Sequence, residues 1–128
     1  AIGRPIANQF DLIHAVRDGF PVGVVHALLK SGLLSRAETD RVVLPRKTLA
    51  HREQIGTLTT DQSDRLLRVV RVLVAAEETF GSREKAHQWL RRPTSVLANE
   101  APLDLLDTEE GTREVETVLG RIAHGIAA

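Results

Sequence analysis

Apolar residues in this chain return at the spacing of a helix face, not at the alternating spacing of a half-buried strand. Phe10, Ile13, His14 and Arg17 outline a short first helix that Gly19 ends. Pro21 suits a first helical position, where a missing N–H costs nothing, and Val24, Val25, Leu28 and Leu29 then form a stripe that stops at Gly32. Ser35 and Glu38 have the spacing of a capping box, in which each side chain accepts from a backbone N–H that the helix leaves open. The helix they start runs to about Val43, because Pro45 restricts the residue before it. A short basic helix, Pro45 to Glu53, comes next.

A second capping box, Thr59 with Gln62, opens the longest helix, about Asp61 to Thr79. Its apolar residues, Leu66, Leu67, Val69, Val70, Val72, Leu73 and Val74, cover most of the circumference. Such a helix lies at the centre of a bundle or in a dimer, and Leu66, Val70 and Leu73 are the expected dimer contacts. Phe80-Gly81 ends it, and Ser82 caps a helix that carries Ala86, Trp89 and Leu90 and stops at Pro93. A loop leads to Pro102 and a single turn, Leu103 to Leu106. These leucines cannot all face inward on one turn, and Leu103 is assigned to a partner. Thr108 caps the last helix, with Glu109 and Glu110 in the first turn, where the helix dipole favours anions. Val115, Val118, Leu119 and Ile122 form its core stripe, Gly125 ends it and Ile126 begins an apolar tail. The expected class is all-α, a compact helical bundle.

The chain has 128 residues, enough for one domain or two very small ones sharing a core. A body of this size buries only about two-thirds of its unfolded surface, so a homodimer would help it. The 17 basic and 17 acidic residues cancel, but their placement does not. Basic residues dominate from Arg36 to Arg71. From Ala98 onward Glu100, Asp104, Asp107, Glu109, Glu110, Glu114 and Glu116 face only Arg113 and Arg121. Two surfaces with different partners follow from that asymmetry. There is no cysteine, which excludes disulfides and thiolate-bound metal and fits a reducing cytoplasm. No apolar run approaches the ~18–20 residues of a membrane span, and no signal-peptide pattern is visible. With no methionine present, Ala1 follows either a processed start or further chain upstream.

Catalytic signatures are missing. The glycines form neither G-x-G-x-x-G nor a P-loop, and there is no H-E-x-x-H or G-x-S-x-G. His14, His26, His51, His87 and His124 include no i,i+4 pair that would hold zinc on one helix face. The Glu109-Glu110 pair reads as a charged helix start, not an acid/base couple. No catalytic residue, metal or cofactor is expected, and the chain is not expected to be an enzyme.

Two segments point to partners. Ser35 to Val43 followed by Leu44 to Glu53 gives two short helices and a tight turn, the plan of a helix-turn-helix whose second helix enters the major groove. That second helix offers Arg46, Lys47 and Thr48, with His51 and Arg52 one turn on, for phosphates and base edges of operator DNA. Arg65, Arg68 and Arg71 also share a strip of the long helix, as a solvent face or a contact to phosphate or an acidic partner. The second segment is Phe80 to Ile126. Phe80-Gly81, Trp89-Leu90 with Pro93, Pro102 to Leu106, Thr108-Glu109 with Gly111, and Leu119, Arg121, Ile122, Gly125 and Ile126 stand in order. In that order and spacing they resemble the C-terminal toxin-binding domain of the Xre/MbcA/ParS antitoxin family. Upstream, Arg46-Lys47-Thr48-Leu49 with His51-Arg52, and Asp64-Arg65-Leu66 with Arg68-Val69, extend the resemblance back to about Phe20. One loop departs from it: relatives often carry an asparagine and a glycine where this chain has Thr94 and Asn99, although asparagine can still adopt a left-handed backbone.

The resemblance implies an antitoxin of a type II toxin-antitoxin system. It divides the chain into an Xre-like helix-turn-helix domain (1–60), a long connecting or dimerisation helix (61–79) and a toxin-binding domain (80–128). The implied partner is a RES-type toxin that degrades NAD, obstructed by the end of the antitoxin, with the same protein dimerising and repressing its own operon. The residues expected on the toxin are Leu103, Glu109, Glu110, Arg121, His124, Gly125 and Ile126. An acidic face suits a basic pocket built for a phosphate-bearing substrate. The competing reading is a stand-alone helix-turn-helix transcriptional regulator whose C-terminal half dimerises or senses a ligand.

Overall fold

A computed structural model describes residues 6–125. Its regular structure is helical, and β-pairing among the described residues is limited to two isolated bridges, Pro21 with Thr57 and Thr94 with Glu100. The chain forms two compact units, residues 1–67 and 68–128.

The first unit holds α1 (Gln9–Asp18), α2 (Gly23–Ser31), α3 (Arg36–Val42), α4 (Arg46–Ile55) and the start of α5 (Thr60–Phe80). Asn8 caps α1 by accepting from the Asp11 N–H at 3.0 Å. The Ser35–Glu38 capping box is complete: Ser35 Oγ accepts from Glu38 N at 3.1 Å, and Glu38 Oε1 accepts from Ser35 N at 2.9 Å. Thr59 and Gln62 make the same exchange before α5. Gly19 ends α1 at a φ of +91°, with no room for a side chain because a Cβ there would run into the Leu58 carbonyl. That approach brings the α1–α2 loop and the α4–α5 loop side by side. Leu58 N donates to Phe20 O at 2.8 Å, Val22 N to Gly56 O at 3.0 Å, and the buried Ser63 Oγ accepts from Phe20 N at 2.8 Å.

The structure corrects two local expectations in this unit and shows which face of α1 is buried. Pro21 pairs with Thr57 and α2 starts only at Gly23, because the backbone at Phe20 to Val22 is engaged by the neighbouring loop. α4 begins at Arg46 with Pro45 as its cap residue, and it continues to Ile55 before Gly56 ends it. In α1 it is Ala15 that is buried, whereas Phe10 is 72% exposed and Ile13 also faces outward.

The second unit holds the rest of α5, α6 (Arg83–Arg91), a 3-10 turn at Ser95–Leu97, a 3-10 segment at Pro102–Asp107, and α7 (Glu109–Ala123). The Phe80 and Trp89 rings pack with centroids 5.5 Å apart, which ties the end of α5 to α6. Asn99 does adopt the left-handed backbone, at φ +64°, and Ala98 beside it does the same. The Asn99 N–H donates to Thr94 O at 2.9 Å and closes the loop. Both α6 and α7 pack on the 3-10 segment. A 3-10 helix eclipses residues three apart, so Leu103 and Leu106 point the same way and both are buried. Leu103 therefore belongs to the core, and the half-buried leucine of this segment is Leu105.

Thr108 Oγ1 caps α7 by accepting from Gly111 N at 3.0 Å. Gly111 itself lies so close to the 3-10 segment that a Cβ would collide with the Leu105 carbonyl oxygen. Replacing a helical glycine with alanine normally favours folding by about 0.5–1 kcal/mol. Here the backbone clash outweighs that gain. Gly111→Ala is expected to destabilise the protein by about 1–3 kcal/mol, seen as a lower midpoint in urea unfolding.

Candidate functional site

α3 and α4 form the two-helix unit, and the stitched loops hold α4 from behind. Arg52 lies half-buried on that rear side, with its Nε donating to Thr57 O at 2.8 Å. Arg65 likewise turns back onto the unit and donates from Nη1 to Val43 O, the residue that ends α3, at 3.2 Å. Thr48 is half-buried, whereas Arg46, Lys47 and His51 are exposed. The structure thus separates the expected DNA-binding set. Lys47 and His51 share an outward stripe with Ala50 and Gln54, all exposed at i, i+3, i+4 and i+7. Gln54 and Ala50 escape a reading based on charge. Their signal is spacing on one face, three residues from Lys47 for Ala50 and seven for Gln54, and the fit of glutamine to adenine and of alanine to a thymine methyl.

The first turn of α4 has no acidic residue and no side-chain cap, so its open N–H groups and the exposed Arg46 and Lys47 share one end of the helix. This combination suits phosphate. An open hollow of about 490 Å³ in the same unit is lined by His26, Leu29, Lys30, Leu34, Ser35 and Arg36. His26 Nε2 stands 3.7 Å from Glu53 Oε2, linking α2 to α4 when the histidine is protonated.

In the second unit the charge of α7 is divided. Arg68 Nη1 donates to Glu109 Oε2 at 3.3 Å, and Arg71 grips Glu116 with two bonds of 2.8 and 3.2 Å. Two of the three arginines expected on a shared strip therefore neutralise the protein's own acids. Arg113 lies 3.6 Å from Glu109 and 3.8 Å from Glu110. Glu110 stays 85% exposed beside Arg113, and Glu114 is exposed as well. Arg121 and His124 are exposed at its C-terminal end, where His124 Nδ1 lies 2.7 Å from the Gly120 carbonyl. Gly125 follows at φ +73°, and Ile126 lies outside the described residues.

The expected dimer contacts are placed differently. Leu66 and Leu73 are buried in the chain's own core, Val70 is half-buried, and the outward apolar residue of α5 is Val74. Hydrophobicity around most of the helix is used internally. Among the described residues no group of three His, Cys, Asp or Glu side chains is placed to hold a metal ion, and no helix is long and apolar enough to cross a membrane.

A two-helix unit with the plan of a helix-turn-helix is followed by a helical unit whose terminal helix exposes acidic residues. Comparison with known families agrees along both parts. Residues 11–71 match the antitoxin Xre-like helix-turn-helix domain, and residues 75–125 match the antitoxin Xre/MbcA/ParS C-terminal toxin-binding domain. The chain is 36% identical over 121 residues to antitoxin Xre of Pseudomonas putida, covering 94% of this chain and 76% of the relative. It is 34% identical over 128 residues to antitoxin Xre of Yersinia enterocolitica, covering 98% and 86%. A Sphingobium protein named Prs ADP-ribosylating antitoxin is 32% identical over 80 residues, 56% of this chain and 50% of that one. The chain belongs to the antitoxin Xre family of toxin-antitoxin systems.

The stitch behind α4 has a measurable value. Ser63→Ala leaves the buried Phe20 N–H without an acceptor, and we expect a loss of about 1–3 kcal/mol in chemical unfolding.

Proposed function

We propose that this protein neutralises a RES-type, NAD-degrading toxin through its second unit and represses its own operon through α4. The reading assigns it no catalytic step. It acts by covering the toxin's substrate route, in the cytoplasm. The observation that carries the toxin half is the match of residues 75–125 to a toxin-binding domain whose terminal helix leaves Glu110, Glu114, Arg121 and His124 exposed. NAD carries a pyrophosphate, so a pocket that accepts it is basic. Glu110 and Glu114 then speed encounter, while Arg121, His124 and Gly125 with the Ile126 tail obstruct the entrance. The name of the Sphingobium relative includes ADP-ribosylation, a transfer whose usual donor is NAD, which supports an NAD-consuming partner.

The test is co-purification of the chain with the product of its neighbouring gene, followed by NAD consumption by that product with and without the chain. A tight complex that stops NAD loss is the expected result. A toxin that neither binds nor slows would overturn the reading and favour a stand-alone regulator.

On DNA, Lys47, His51 and Gln54 face the major groove, with Arg46 on the backbone, and dimerisation would place two such helices on two half-sites. Arg46→Ala with Lys47→Ala is expected to weaken operator binding and to lower the slope of log affinity against log salt by about 1 for each phosphate left without its cation. Toxin inhibition stays intact. An unchanged salt slope in a fluorescence titration would remove α4 from the DNA.

A further inference from the structure

The ion pairs between α5 and α7 give the direction of both helices. Arg68 reaches Glu109 and Arg71 reaches Glu116, so residue numbers rise together and the helices run parallel. Beyond the second pair the seam opens. A hollow of about 240 Å³ is lined by Ala75, Glu78, Thr79, Glu116, Leu119, Gly120 and Ala123. Small side chains make it: Ala75 and Ala123 are minimal, and a Cβ on Gly120 would meet nothing within 4 Å.

Two features favour a positive charge in the hollow beyond the Arg71 guanidinium already bonded to Glu116. Glu78 is exposed and has no ion-pair or hydrogen-bond partner among the described residues, whereas Glu116 is held by Arg71. Both helices end beside it, α5 at Phe80 and α7 at Ala123, and a helix C-terminus carries partial negative charge. Arg121 is not among the lining residues. A small apolar floor beneath an unpaired carboxylate and two negative helix ends matches one kind of visitor, a long side chain with an aliphatic stem and a cationic head.

We propose that this hollow seats a lysine or arginine side chain of the toxin, with its stem on Ala75, Gly120 and Ala123 and its charge against Glu78. The proposal rests on the toxin-binding reading above and adds the face and the chemistry. The match of residues 75–125 to a toxin-binding domain contains every lining residue.

Two whole-chain variants test it against the purified RES-type toxin. Gly120→Leu fills the hollow without meeting a neighbour at Cβ, and replacing glycine inside a helix favours folding. The melting temperature should hold or rise while toxin affinity falls by about tenfold or more. Glu78→Lys leaves the floor intact and should slow association and weaken binding by about tenfold, most at low salt. Native-like affinity in both variants overturns the proposal, and so does a change in oligomeric state on sedimentation without loss of toxin affinity, which would give the hollow to a second copy. If Gly120→Leu melts early, Glu78→Lys alone decides. If the native chain itself fails to bind, the toxin-binding reading falls first and takes the hollow with it.

Discussion

A buried N–H has to find an acceptor, and in this protein the N–H of Phe20 finds Ser63. That bond sits where the α1–α2 loop meets the α4–α5 loop, beside two backbone bonds and the close approach that Gly19 alone permits. Interactions of this kind add modestly when made and cost much more when broken, because water cannot replace them in the interior. The helix that would read DNA depends on them from behind. Arg52 and Arg65 add to the same support, one on the α4–α5 loop and one on the end of α3. Two residues that look like ligands for phosphate are thereby converted into struts.

The second unit uses its charges by a similar rule. Partly exposed ion pairs such as Arg71 with Glu116 contribute little to stability, with a typical value of about 0–1 kcal/mol. Their effect here is on the pattern of potential along α7. Glu109 and Glu116 are screened by arginines from α5, while Glu110 and Glu114 are left to the outside. The outward face of α7 is thus a narrower acidic stripe than the count of acids suggests, interrupted by Arg113 and with cationic Arg121 at its far end.

The helices and their caps were readable because capping boxes, glycine stops and prolines act over three or four residues. Ser35 with Glu38 and Thr59 with Gln62 needed no distant information. Faces were harder to read. Phe10 and Ile13 are the apolar residues that outline α1, yet Ala15 is the residue that it buries. The segment Pro102–Asp107 looks like one turn of α-helix, and its 3-10 winding moves Leu103 into the core. The hydrophobicity of α5 reads equally well as a dimer seam, whereas Leu66 and Leu73 are consumed within a single chain. The division of the candidate DNA set, with Arg52 turned back while Lys47 and His51 stay outside, depends on a contact of Arg52 to Thr57 that no local pattern encodes.

One helix also sets how such proteins can diversify. The residues of α5 are divided between the two units at Leu67 and Arg68. A cut there leaves pieces at or below the ~12–15 residues under which an isolated helix is marginal in water. Recombination that joins the first unit of one ancestor to the second unit of another must therefore cross over outside α5, so that one parent supplies the helix whole. Its residues then have to satisfy the core of a stranger at one end. Exchange of units within this family is constrained first by the inward faces of that helix, before any outward surface comes into play.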